Sequence, residues 1–203
     1  MSPAATLGTV LLAYLPAAMS PGPNFVLIAH TAATGTRRAA VAIALGVVAA
    51  GGLLAAVAVF GLGSVLARTP WLATALRVAC GGYLAWLGVR LWWRARAPSA
   101  PAEPATGRGN AFGRGVLSNL SNPKAAAFFG SVLTATLPPT EPTAVKAAAV
   151  ALIVVTSAGW HLSVALLFSS PATQRWYAHA EPALNRVVGT VLVILGCTLA
   201  TTP

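Results

Sequence analysis

Acidic side chains are almost missing from this sequence. Among 203 residues there is no aspartate, and the three glutamates are Glu103, Glu141 and Glu181, against 13 lysines and arginines. Charged residues of both signs make up only 8% of the chain and hydrophobic ones 57%, which excludes an ordinary soluble domain, where about a quarter of residues are charged. A net charge of +10 would point to nucleic acid in a soluble protein. Here most arginines fall between apolar runs and read as topology signals, so no nucleic-acid partner is expected. Cysteine is scarce too: Cys80 and Cys197 both lie inside apolar runs, so they read as small buried residues, with no disulfide framework and no metal site. No nucleophile with a base and an orienting acid is visible, so neither an enzyme nor a cofactor is expected. The opening Met1-Ser2-Pro3 lacks the basic region of a cleavable signal, which predicts insertion without cleavage.

What the chain has in quantity is apolar length. A membrane-spanning helix needs about 20 apolar residues, and six stretches qualify: Ala4 to Thr31, Ala39 to Leu66, Leu72 to Trp93, Gly115 to Leu137, Ala144 to Ser169 and Ala183 to Ala200. The fold class expected is an all-α integral membrane protein. Its organisation is two three-span units, 1–93 and 115–203, joined by a cytoplasmic linker, 94–114, that is rich in proline, glycine and alanine. Arg37, Arg38, Arg90, Arg94, Arg96, Arg108, Arg114, Arg175 and Arg186 fall on one side of the membrane, against Arg68, Arg77 and Lys146 on the other. The positive-inside rule then puts both termini outside the cytoplasm. Trp71, Trp92, Trp93, Trp176 and Tyr177 sit near span ends, as an interfacial aromatic belt requires.

Two spans are interrupted by proline, one near the start of each half. The first break reads Ser20-Pro21-Gly22-Pro23-Asn24 and the second Ser121-Asn122-Pro123-Lys124. Proline removes a backbone donor and clashes with the preceding turn, and the polar groups this frees are tolerated in a membrane only inside protein or beside a water-filled cavity. Paired broken helices in the two halves of a transporter mark the substrate site. The halves also match in register at an offset of 108: Arg38-Ala39-Ala40 with Lys146-Ala147-Ala148, Gly51 with Gly159, Gly81 with Gly189, Leu87-Gly88 with Leu195-Gly196. With three spans per half, the second half enters from the opposite side, giving two inverted repeats suited to alternating access.

Few polar residues lie within these spans. Lys124 either snorkels to an interface or serves as a counter-charge for a substrate carboxylate. Asn24 and Asn122, beside Pro21, Pro23 and Pro123, either cap their half-helices or bind substrate, and the half-helix N-termini favour an anionic group. Ser20, Ser121 and Asn119 offer further polar lining. His161, midway along the fifth span, is the candidate for proton coupling, with a hydrogen-bonded packing role as the alternative. His30 reads as interfacial, Arg77 as snorkelling outward, and His179 as part of a cytoplasmic connection. Small residues at Gly46, Ala50, Gly51 and Gly52, at Gly81, Gly82 and Gly88, and at Gly159 serve close helix packing, within the chain or in a homodimer, or line a substrate path.

The first break with Phe25-Val26-Leu27, then Gly35-Thr36-Arg37-Arg38, the run Gly81-Gly82-Tyr83-Leu84-Ala85-Trp86-Leu87-Gly88, and the stretch Gly113-Arg114-Gly115-Val116-Leu117-Ser118-Asn119-Leu120-Ser121-Asn122-Pro123-Lys124 together resemble the amino-acid exporters of the LysE/RhtB type. The resemblance covers essentially the whole chain. It implies export of amino acids or related small metabolites across a bacterial inner membrane, driven by an ion gradient, with a proton as the expected coupling ion. Exporters of basic amino acids in this family carry an aspartate in the second span, whereas Gly46 to Phe60 contains no ionisable group. A cationic substrate would find no carboxylate inside the membrane, so neutral amino-acid-like substrates and the RhtB branch, with threonine and homoserine, are expected. Two other classes remain. A passive small-solute channel stays open on sequence alone, and a thiol-relay membrane protein is disfavoured because its cysteines would have to lie at the breaks.

Overall fold

The computed structural model describes residues 2–94, 110–137 and 140–201, and these are helical with short breaks and turns. Proline sets where many of the helices begin. Its fixed φ suits the first helical turn, where a backbone donor would go unused, and five helices start on one: α1 Pro3–Met19, α2 Pro23–Thr34, α5 Pro70–Arg94, α7 Pro123–Ala127 and α10 Pro171–Thr201. Polar side chains close other starts. Thr36 Oγ1 accepts from the Ala39 amide at 3.1 Å to open α3, Arg37–Ala56. Asn110 Oδ1 accepts from the Phe112 amide at 3.0 Å to open α6, Ala111–Leu120. A π-helical segment, Val57–Leu62, carries α3 into α4, Gly63–Arg68, and a second, Phe128–Val132, joins α7 to α8, Leu133–Thr136. The remaining helix is α9, Thr143–Leu167.

Four helical stretches are long and apolar enough to cross a membrane: Arg37–Gly61, Pro70–Trp93, Thr143–Leu167 and Pro171–Thr201. The pair α1 and α2, bent by 53° at the first proline break, is long and apolar enough to cross when taken together. The remaining expected stretch, the fourth, Gly115 to Leu137, is cut more deeply than its one proline before Leu137 suggests. It comprises α6, a break at Ser121 and Asn122, the short α7, the π-helical segment and α8, so no single piece has spanning length. Apolar side chains cover the outer surface, with Leu12 74% and Val155 69% exposed, as expected of a multi-pass membrane protein whose outside meets lipid rather than water.

Two boundaries and one burial differ from the sequence reading. The last span is not confined to Ala183 to Ala200. It belongs to a 31-residue helix, about 46 Å at helical rise, that takes in Trp176, Tyr177 and His179 and continues through Pro182. Of the linker, Ala111 to Arg114 are already helical as the start of α6, and 95–109 lie outside the described residues. Cys197 is exposed on the outer surface and only Cys80 is partly buried, because the apolar surroundings expected for both are, for Cys197, the lipid.

Glycine fixes how the long helices meet. A Cβ at Gly46 would strike the Phe112 carbonyl oxygen, and one at Gly115 the Ile43 carbonyl oxygen, so α3 and α6 touch backbone to backbone. Between α5 and α10, a Cβ at Gly81 would lie 2.6 Å from the Gly196 carbonyl oxygen, and Gly88 meets Gly189 in the same way. Close packing within the chain therefore accounts for Gly46, Gly81 and Gly88. Among the described residues nothing lies within 4 Å of a Cβ at Gly82 or Gly159, so close helix packing does not account for those two glycines. Near the end of α5, Trp92 Nε1 donates to the Arg186 carbonyl at 3.0 Å, which ties that end of α5 to the middle of α10.

Candidate functional site

The two proline breaks meet. Ser20, at the end of α1, and Asn122, before α7, are buried, and each is held by its own local bond: Ser20 Oγ donates to the Ala17 carbonyl at 3.0 Å, and Asn122 Oδ1 accepts from the Lys124 amide at 3.0 Å. Lys124 Nζ then crosses from the second break to the first, donating to the Ser20 hydroxyl at 2.7 Å and the Ser20 carbonyl at 3.0 Å. That carbonyl is one of the acceptors left over by the interruption of α1. The ammonium occupies the gap Pro21 opens, close enough to Gly22 that a Cβ there would lie 3.2 Å from Nζ.

Asn24 makes the second crossing. Its Nδ2 donates to Asn119 Oδ1 at 2.9 Å and its Oδ1 accepts from the Ser118 hydroxyl at 2.8 Å. Asn119 Nδ2 in turn donates to the Val47 carbonyl at 2.9 Å, extending the chain of bonds to α3. Asn24, Asn119 and Asn122 are all buried, so satisfied amides here define one geometry. The exception is Asn122 Nδ2, which is buried with no partner among the described residues.

Two cavities adjoin this crossing, and Lys124 and Asn122 line both. The larger, about 480 Å³, runs between α2 and α5. It is lined by Pro21, Gly22 and Pro23 at the first break, by His30 seven residues and about 10 Å farther along α2, and by Tyr83 and Arg90 of α5. The smaller, about 40 Å³, lies on the other side of Lys124, walled by Ser20, Asn24, Asn119, Tyr14, Phe128 and His161 among others. No carboxylate among the described residues lines either one. Aromatic rings hold the walls. Phe25, directly after Asn24, packs against Tyr177 at 5.0 Å and Phe168 at 5.4 Å, and Tyr14 packs against Phe128 at 5.4 Å.

Apart from Ser121, the site residues read from the sequence line one or both of these cavities. Pro21, Pro23, Asn122, Pro123 and Lys124 line the larger one, and Asn24 and His161 the smaller. His161 is buried, and its Nδ1 is engaged by its own helix at 2.9 Å from the Ser157 carbonyl and 3.2 Å from Ser157 Oγ. His30, expected at an interface, also lines the larger cavity, and Ser121, expected to line the site, is exposed. Sequence reasoning missed Arg90, which it treated only as a topology signal, and Tyr14, Tyr83 and Ser157. Asn119 it treated as lining, whereas it is the hub that joins three spans. The signal for Arg90 was its spacing: it lies seven residues past Tyr83, so both occupy one helix face.

The arrangement can bind a small solute bearing an anionic group, held by an ammonium and an unpaired amide donor, and it contains no group placed to make or break covalent bonds. Comparison with known proteins agrees. Threonine efflux proteins of Escherichia coli K12 and Salmonella typhi are each 32% identical over 193 residues, covering 93% of this chain and 94% of theirs. A homoserine/homoserine lactone efflux protein of Salmonella typhimurium is 27% identical over 90% of this chain and 89% of its own. No solved structure gives a significant match. The family described as LysE type translocator matches residues 15–202, and the chain, a multi-pass membrane transporter rather than an enzyme, belongs to that family.

Proposed function

We propose that this protein exports a small neutral amino acid or a close relative across a bacterial inner membrane, by alternating access coupled to an ion gradient, with a proton as the coupling ion. The observation that carries the reading is the crossing of the breaks, with Lys124 bridging to Ser20 and Asn24 to Asn119. A substrate carboxylate entering the larger cavity meets Lys124 and the unpaired Asn122 amide at the breaks. With no carboxylate among the described residues lining either cavity, basic substrates are disfavoured, because a cation there would stay unpaired in a site of low polarity. The functions printed for the relatives, threonine and homoserine efflux, fit a neutral substrate.

Reciprocal contacts support two inverted three-span repeats. At the offset of 108, Gly81 corresponds to Gly189 and Gly88 to Gly196, yet the pairs that touch are Gly81 with Gly196 and Gly88 with Gly189. A two-fold relation produces this exchange, in which residue i meets the equivalent of j and j meets the equivalent of i. The breaks repeat it: Lys124, one residue past Pro123, reaches back before Pro23 to Ser20, and Asn24, one residue past Pro23, reaches back before Pro123 to Ser118 and Asn119. The larger cavity, flanked by Arg90 near the linker, then faces the cytoplasm under the positive-inside rule. His161, in the smaller cavity with Lys124, is the proton-coupling candidate.

A counterflow screen in proteoliposomes tests the proposal, comparing L-threonine, homoserine, L-lysine and L-arginine. Exchange of the neutral pair, stimulated by a pH gradient, is the expected result. Preference for lysine or arginine would overturn the neutral-substrate reading, and flux with neither saturation nor counterflow would make the protein a channel.

A further inference from the structure

The larger cavity holds a second cation that binding at Lys124 does not use. Arg90, near the end of α5, lines the cavity together with His30 of α2. Its guanidinium carbon lies 5.3 Å from the centre of the Trp86 ring, and Tyr83 packs against that indole at 5.6 Å. An aromatic face restrains the guanidinium without using its in-plane donors. Those donors form a planar fork that matches a carboxylate in shape and charge. The cavity is lined by one cation at the breaks and another on α5, with no acid between them among the described residues.

The second half of the chain has nothing similar. At the offset of 108 the position of Arg90 is taken by Thr198, and with the helix-starting prolines Pro23 and Pro123 superposed, that of His30 is taken by Gly130. The pair His30 and Arg90 therefore belongs to one mouth of the pathway.

We propose that Arg90, assisted by His30, forms an outer carboxylate-binding subsite, where an amino-acid-like solute is held before it passes inward to Lys124. The subsite rests on the exporter reading for its substrate class. It also gives the two faces unequal affinity: solute is gathered on the linker side and meets no such site on the side from which it leaves.

Two measurements with L-threonine as the probe test this. In proteoliposomes, Arg90→Gln should raise the half-saturation concentration from the linker side about tenfold, the scale of one hydrogen bond to a charged group. It should leave half-saturation from the opposite side within about twofold, and Arg90→Lys should recover part of the loss. An unchanged value, or an equal rise from both sides, overturns the subsite. Binding is read separately from transport: in purified protein, L-threonine should change the tryptophan emission of the wild type and of Lys124→Gln, but not of Trp86→Phe. Absence of that Trp86 signal overturns the subsite whatever the transport result. A Trp86 signal in a wild type that carries no L-threonine keeps the subsite and sinks the exporter reading instead.

Discussion

At the scale of single residues, each polar side chain at the crossing answers a need created by proline. Pro21 and Pro23 interrupt α1 and strand the Ser20 carbonyl, and Lys124 supplies its donor. Asn119 holds Asn24 with one end of its amide and the Val47 carbonyl with the other. Asn119→Ala would leave the buried Asn24 Nδ2 without its acceptor, at about 1–3 kcal/mol, and would remove the tie to the Val47 carbonyl. Purified Asn119→Ala should therefore show a clearly lowered Tm together with weakened transport, whereas Ser121→Ala, at an exposed position, should match the wild type in a thermal-shift assay. Asn24, Asn122 and Lys124 were legible in the sequence because a polar residue beside proline in an apolar run has few bland explanations. Arg90 and Tyr14 were not: an arginine near a span end usually snorkels, and an aromatic in an apolar run usually packs, so only three-dimensional placement separates these cases.

At the scale of helices, backbone contact at glycine sets the spacing on which the site depends. A side chain at Gly88 would put a Cβ 2.8 Å from Val193 Cγ2, and its neighbour across α10 is backbone that cannot rotate away. Overpacking of this kind costs about 1–3 kcal/mol or more. Gly88→Val and Gly81→Val should reduce the yield of monodisperse protein in size-exclusion chromatography. Gly82→Ala and Gly159→Ala should not, since a Cβ at either meets open space. The four long apolar helices were legible because long apolar runs carry their own signal, although the last begins at Pro171, well before the expected Ala183. The fourth expected span was only partly legible. Its proline announced one break, but the π-helical segment Phe128–Val132 inserts into a run of ordinary helix formers, and nothing local marks it. What sets it apart is tertiary, the packing of Phe128 and Phe129 against Tyr14 across the smaller cavity.

At the scale of the whole molecule, the two halves exchange partners, and orientation follows from where the arginines lie. The proposed six spans, with the linker in the cytoplasm, would put both ends of the chain outside. In a Cys80→Ser, Cys197→Ser background, cysteines introduced at Ser2 and at Thr201 should both react with an impermeant thiol reagent applied to intact cells. Labelling at only one end would contradict an even number of spans. Tyr14 packs against Phe128 and Phe129, and Tyr14, Phe128 and Phe129 all line the smaller cavity together with Lys124.

The account rests on Lys124 as the group that receives the substrate, and transport of L-threonine by purified, monodisperse Lys124→Gln tests that most directly. Gln keeps much of the side chain's length and its ability to bond Ser20 but not its charge, so a role confined to supporting the break would survive the change. Removing the charged partner of a desolvated carboxylate costs about 2–5 kcal/mol, so the account predicts a rate below about a tenth of wild type with normal folding. Lys124→Arg should recover little, because the guanidinium is larger and differently shaped than the ammonium that fits between Ser20 and Gly22. A near-normal rate for Lys124→Gln would contradict the account and place the substrate site elsewhere in the molecule.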